Sequence, residues 1–247
     1  MTDKDKKVVL ITGAAKRIGA VIARLFHSAD YSVLLHYNSS ASSANKLCRE
    51  LNQLREDSCL LVQADLSQAT GIEKITHLIG DLGRLDVLVN NASSFYPTPI
   101  DDCNQQQWDD LIGSNLKGPF FLTKALYPLL KKYSGSVVNI SDMHARQALQ
   151  QYPIYSIAKG GNIAMTKAMA LELAPDIRVN SVAPGAILWP EKEQPETEKH
   201  QAILDNIPMG KLGTEMDIAQ TVWFLAVEAT YVTGQTIAVD GGRSNSL

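Results

Sequence analysis

Lys7-Val8-Val9-Leu10-Ile11-Thr12-Gly13-Ala14-Ala15-Lys16-Arg17-Ile18-Gly19 is the stretch that decides the fold. Its first half is apolar at nearly every position, which predicts a strand buried on both faces, as in a central parallel sheet. After Gly19, Val21, Ile22, Leu25 and Phe26 recur at helical spacing. Strand, glycine turn and helix in that order form the context of a phosphate-cradling loop. Small residues let backbone amides approach a pyrophosphate, and the helix N-terminus adds positive potential. The loop keeps Gly13 and Gly19 but carries Arg17 where the middle glycine of a T-G-x-x-x-G-x-G loop would stand. Taken alone, it reads equally well as a tight βα turn with an incidental arginine.

Working outward, further strand patterns fall at 32–37, 59–63, 86–90, 137–140, 177–182 and 236–239. Helical patterns lie between them, including 72–82, 108–116, 119–132, 155–173 and 215–227. This alternation predicts a right-handed, doubly wound parallel sheet of Rossmann type, a three-layer α/β/α architecture. No linker or break in composition divides the 247 residues, so residues 1–247 read as one domain. Apolar residues make up 45% and charged residues 20%, ordinary values for a globular chain with a sizeable core. A net charge of −3 offers no long-range attraction to nucleic acid or an anionic membrane. Neither a signal peptide nor a run long enough to span a membrane is visible, so the cytoplasm is the expected compartment. Cys48, Cys59 and Cys103 form no C-x-x-C, and the histidines at 27, 36, 77, 144 and 200 fall into no ligand spacing. They read as structural thiols and a chain without a metal centre.

The candidate chemistry lies between Asn139 and Gly160, NISDMHARQALQQYPIYSIAKG. Asp142 follows the carboxyl end of the fifth strand, where open α/β sheets place their ligand crevice. Tyr155 begins the next helical pattern, and Lys159 sits one turn on, about 5–6 Å away between β-carbons. A phenol titrates near pH ~10 in isolation, and a nearby ammonium is expected to lower that value, making Tyr155 a proton donor or acceptor. The second strand ends in Tyr37-Asn38-Ser39-Ser40 with no carboxylate. A carboxylate there would accept from the ribose diol of NAD and repel a 2′-phosphate, so the missing acid and the nearby Arg17 favour NADPH. Ser40 or Ser42 also suits the cap of the following helix.

The chain resembles a short-chain dehydrogenase/reductase from end to end. The resemblance rests on Thr12-Gly13-Ala-Ala-Lys-Arg-Ile-Gly19, Asp65, Asn90-Asn91-Ala92, Asn115, Tyr155-x-x-x-Lys159, Pro184-Gly185 and Asp240-Gly241-Gly242. Within that family it is most similar to the pteridine reductases, in TGAAKRIG (12–19), LHYNSSA (35–41), NNASSFYPTP (90–99) and the interval from Asp142 to Tyr155. Other reductases of the family usually carry serine at the position of Asp142; here Ser141 stands one place too early. The resemblance implies catalytic roles for Asp142, Tyr155, Lys159 and Asn115, the last holding a water against the lysine. It implies a cofactor held by Gly13, Arg17, Ile18 and Gly19, by Tyr37, Asn38, Ser39 and Ser40, by Asp65 and Leu66, by Asn91, Ala92 and Ser93, by Tyr155 and Lys159, and by Pro184 and Gly185. Arg17, Ser93, Phe95, Asp142, Tyr152 and Tyr155 would meet the substrate. A homotetramer is implied as well. The arginine that the best-known pteridine reductases carry at the position of Ser39 is absent.

An ionised carboxylate only accepts hydrogen bonds, and beside Tyr155 it would oppose a tyrosinate. Its presence makes chemical sense for a substrate with N–H donors, or if it passes a proton through Tyr155 to a ring nitrogen. A reduced pterin satisfies both. The competing reading makes Asp142 a structural cap, with Ser141 doing the usual job. Phe95 is expected to form one wall of a slot for a flat heterocycle, the nicotinamide forming the other. Residues 188–201, proline-rich and charged with Trp189 near the start, read as a mobile lid or a solvated loop. The expectation is an NADPH-dependent reductase of a pterin, dihydropterin or dihydrofolate ring. Its rivals are a 3-oxoacyl-type carbonyl reductase and a non-catalytic redox sensor that binds the dinucleotide.

Overall fold

The computed structural model describes residues 6–187 and 198–245. Seven parallel strands are present: β1 (Val8–Ile11), β2 (Ser32–Tyr37), β3 (Cys59–Gln63), β4 (Val87–Asn90), β5 (Ser136–Ile140), β6 (Arg178–Pro184) and β7 (Thr236–Val239). Their order in the sheet is β3-β2-β1-β4-β5-β6-β7. The winding direction reverses between β1 and β4, and this switch point opens a crevice at their carboxyl ends.

β1 shows why the sequence selects this arrangement. Val9 and Ile11 join one apolar cluster with Ile22, Phe26, Leu47 and Val222, while Val8 and Leu10 join the other with Ile79, Leu122, Leu126 and Met169. Alternate side chains leave opposite faces of a strand, so a run apolar at every position needs a helical layer on each side. α1 (Arg17–Ser28), α2 (Ala41–Leu54) and α8 (Glu215–Trp223) supply the first layer. α3 (Ala69–Leu82), α5 (Gly118–Lys132) and α6 (Pro153–Leu173) supply the second.

Several local boundaries differ from the sequence reading by a few residues, and three differences bear on the site. α6 begins at Pro153, two residues before Tyr155, because proline at the first helical position loses no hydrogen bond. Ser40 is the N-cap residue of α2 but makes no side-chain cap bond. The two helices expected at 108–116 and from 119 form a nearly continuous rod. α4 (Gln105–Ile112) starts at a capping box between Asn104 and Gln107, passes through a wider π-turn over Gly113–Lys117, and runs into α5. Of the expected lid, residues 188–197 with Trp189 lie outside the described residues, and 198–201 belong to α7 (Glu198–Asp205).

Candidate active site

The glycine turn is held from both sides. Thr12 Oγ1 accepts from the backbone N–H of Asn91 at 2.9 Å and of Ala92 at 3.0 Å, and Asn91 Nδ2 donates to the carbonyls of Thr12 and Gly13. Gly13 adopts φ +62°, and a β-carbon there would stand 2.8 Å from Ala92 Cα. Arg17, where glycine was missed in the sequence, adopts the left-handed φ of 50° that the glycine would have supplied. That conformation costs a non-glycine residue about 1–2 kcal/mol. Replacing Gly13 with alanine is expected to weaken dinucleotide binding at least about tenfold, since the close approach and the turn are both lost. A fluorescence titration with NADPH checks it, and an unchanged Kd would show that the turn does not carry the cofactor.

His36, buried at the end of β2, fixes the same turn. Its Nδ1 accepts from Gly13 N at 3.1 Å, so its Nε2 carries the hydrogen that meets Ala64 O at 3.0 Å. Burial pushes its pKa down to about 4, which keeps the ring neutral and the acceptor available.

Beside the turn lies a solvent-open cleft with about 670 Å³ of empty space. Gly13, Tyr37, Asn38, Ser39, Ser40, Asn91, Ala92 and Ser93 line it together with Lys16 and His36. The lining contains no carboxylate. Its cation is Lys16, one residue earlier than expected; Arg17 Nη2 instead reaches Ile187 O at 3.4 Å. Asp65 is exposed at the rim of β3, with Oδ1 accepting from the amide and hydroxyl of Ser67, and Leu66 is buried behind it. Ile18 lies against the α1 core. Pro184 ends β6, and Gly185 sits so close to Asp240 that a β-carbon would come within 2.5 Å of the aspartate's own. An anionic dinucleotide fits such a cradle of backbone amides, hydroxyls and one ammonium.

At the carboxyl end of β5 the chemistry converges. Tyr155 Oη donates to Asp142 Oδ2 at 2.7 Å, and the other oxygen of Asp142 accepts from His144 N at 2.8 Å. The aspartate is therefore both the cap of a short 3₁₀ turn and the partner of the phenol. Ser141 is buried and turned to the carbonyl of Lys159 at 3.5 Å. Lys159, only 2% exposed, donates to Ile140 O at 2.9 Å, and its Nζ lies 5.7 Å from the Tyr155 ring centre. Burial pushes Lys159 down to about 8, against a smaller opposing pull from Asp142.

One expectation is corrected here. The Tyr155 phenol is shifted upward, not downward, by burial first, then by the Asp142 charge and its hydrogen bond. The carboxylate accepts the phenol proton directly, whereas the ammonium is turned to a backbone carbonyl. Tyr155 is a proton donor held in its acid form.

Phe95 is 56% exposed and packs edge-on to Tyr155 at 4.8 Å between ring centres and parallel to Tyr152 at 4.7 Å. Tyr152, Phe95 and Tyr155 thus form one aromatic cluster, of the kind that can wall a slot for a flat ring. Ser93 donates to Asn115 Oδ1 at 2.6 Å, and Asn115 Nδ2 donates to Ser94 O at 2.9 Å. The buried Asn115 thus holds the 93–95 loop, and the π-turn puts it there.

A phenol held in its acid form and an open cleft beside the glycine turn thus stand at the carboxyl ends of the strands. A family model described as enoyl-(acyl carrier protein) reductase matches residues 13–244. The chain is a short-chain dehydrogenase/reductase. This member of the family is 37% identical over 243 residues to the 3-oxoacyl-[acyl-carrier-protein] reductase FabG of Staphylococcus aureus strain N315, covering 97% of this chain and 98% of the relative. It is 35% identical to pteridine reductase 1 of Leishmania tarentolae over 285 residues, covering 98% of each. It is 34% identical to the uncharacterized oxidoreductase YmfI of Bacillus subtilis strain 168, over 96% of this chain and 98% of the relative. As a short-chain dehydrogenase/reductase it is an oxidoreductase. Sequence reasoning missed two residues of the site, Lys16 and His36. Lys16 had as its one signal a place beside Arg17, which does not say which of the two cations faces the cleft. His36 had a weaker signal, one polar side chain in an otherwise apolar strand opposite a glycine turn.

Proposed function

We propose that this reductase uses NADPH to reduce a ring C=N of a pteridine, dihydropteridine or dihydrofolate. The observation that carries the reading is the 2.7 Å hydrogen bond from Tyr155 Oη to Asp142 Oδ2, with Ser141 turned away to a backbone carbonyl. A ketone reductase gains from a serine hydroxyl that donates to the carbonyl oxygen, and a carboxylate cannot donate unless it is protonated. NADPH, when bound, supplies the hydride.

The chain's own groups do the rest. Tyr155 would give its proton to the ring nitrogen, a proton from solvent would restore the phenol by way of Asp142, and Lys159 would place a positive charge beside them. The half-exposed Phe95 would hold the ring flat, Ser93 would meet its edge, and Lys16 with Ser39 and Ser40 would receive the 2′-phosphate. Exposed Phe120, Phe121 and Leu171 on α5 and α6 support burial between subunits of a tetramer.

The comparable similarity to a 3-oxoacyl reductase makes carbonyl reduction the second reading. NADPH oxidation at 340 nm with dihydrobiopterin, against the same assay with an acetoacetyl thioester, tests both. Oxidation with the pterin and little with the thioester is expected, and the reverse would overturn the reading.

A further inference from the structure

Asn162 lies on α6 one turn beyond Lys159 and is 1% exposed. Its Nδ2 donates to the backbone carbonyl of Asn115 at 3.2 Å. Its Oδ1 is buried without a partner. The orientation is fixed by the contact, because the opposite one would set oxygen against oxygen. An amide buried for a single hydrogen bond forgoes its other half, which a leucine of similar size would not. The bond it does make is therefore the feature to explain.

That bond sits in a continuous buried chain. On one side the Asn162 carbonyl accepts from Thr166 Oγ1, Thr166 accepts from Asn139 Nδ2, and Asn139 Oδ1 accepts from Asn90 Nδ2. On the other side, Asn115 holds Ser93 and Ser94 through its side chain. Asn115 belongs to the π-turn, where one extra residue per turn breaks the ordinary helical pattern of carbonyl partners. Here an outside donor, the Asn162 amide, meets one of its carbonyls.

We propose that Asn162 is a positioning residue: by holding the Asn115 carbonyl it ties the helix of Tyr155 and Lys159 to the loop that carries Ser93 and Phe95. It touches neither cofactor nor substrate. It sets the distance between the proton donor and the aromatic wall. The inference rests on the function proposed above only for the identity of the substrate.

The test measures wild type and two variants with whichever substrate, dihydrobiopterin or acetoacetyl thioester, the wild type reduces. A wild type that reduces only the thioester sinks the pterin reading and leaves the Asn162 test intact. Asn162→Leu is expected to raise KM about tenfold while kcat stays within about twofold, the mark of lost binding common to ground and transition states. Its thermal midpoint should remain close to wild type, since the orphaned Oδ1 is removed with the bond. Asn162→Asp keeps the shape and guards against a leucine variant that fails to fold. Its carboxyl can donate to Asn115 only when protonated, so its KM, relative to wild type at the same pH, should approach one at acid pH and rise as pH increases. An unchanged KM in the leucine variant, or a parallel fall in kcat and stability, would overturn the proposal. So would a KM ratio for the aspartate variant that ignores pH.

Discussion

Asp142→Ser is expected to lower turnover of a dihydropteridine by about 10²–10⁴-fold, the usual loss when a general acid–base group is removed. Three changes act together. The phenol loses its 2.7 Å acceptor, the proton relay to the ring nitrogen is cut, and His144 N exchanges a charged carboxylate cap for a neutral hydroxyl. Burial, the larger cause of the raised Tyr155 pKa, persists in the variant, but the carboxylate contribution disappears. The tyrosine should then titrate lower than in the wild type, which ultraviolet difference titration of the phenolate would register. Activity toward an acetoacetyl thioester should hold or increase. If pterin turnover survives the substitution, Asp142 is a structural cap and nothing more.

Lys159→Met separates activity from stability. Turnover should fall by at least about a thousandfold, since the ammonium that lies 5.7 Å from the Tyr155 ring is removed. Stability at neutral pH should barely change. With its folded pKa at about 8, against 10.5 for an ordinary lysine, the charged side chain opposes folding by about 3 kcal/mol below pH 8. The methionine relieves that opposition but leaves the Ile140 carbonyl without its donor, a cost of about 1–3 kcal/mol. The pH dependence carries the sign. Between pH 8 and 10 the unfolded chain holds more protons at this position than the folded one, so wild-type stability gains a rising contribution. The variant should lack it. Chemical denaturation at pH 7, 8, 9 and 10 measures the difference, and parallel curves for the two proteins would sink the argument.

The sheet was legible because its evidence is local and repeated. β1 is apolar at every position, and only a strand covered on both faces tolerates that pattern. Asp142, Tyr155 and Phe95 were legible as a group because strand ends and helix starts bring them to one edge. The direction of the tyrosine shift was not legible. It depends first on how deeply the phenol is buried and then on the Asp142 charge beside it, and a spacing of four residues along a helix shows neither that burial nor that Lys159 turns toward Ile140. The π-turn was equally hidden: its residues, Gly-Ser-Asn-Leu-Lys, fit an ordinary helix end. Lys16 and Arg17 show the limit at finest grain. Adjacent cations exchange roles because the backbone at position 17 is left-handed.

That π-turn acts on everything after it as a phase shift. Each residue of a helix advances the side chains by about 100°. One residue too many between Gly113 and Lys117 therefore decides which side of α5 faces the sheet. Deleting a single residue there would leave the composition of α5 intact yet rotate Leu122, Leu126 and Leu130 out of the core and swing lysines toward it. A change designed to loosen the wall around the substrate would then be felt first by the distant half of the rod.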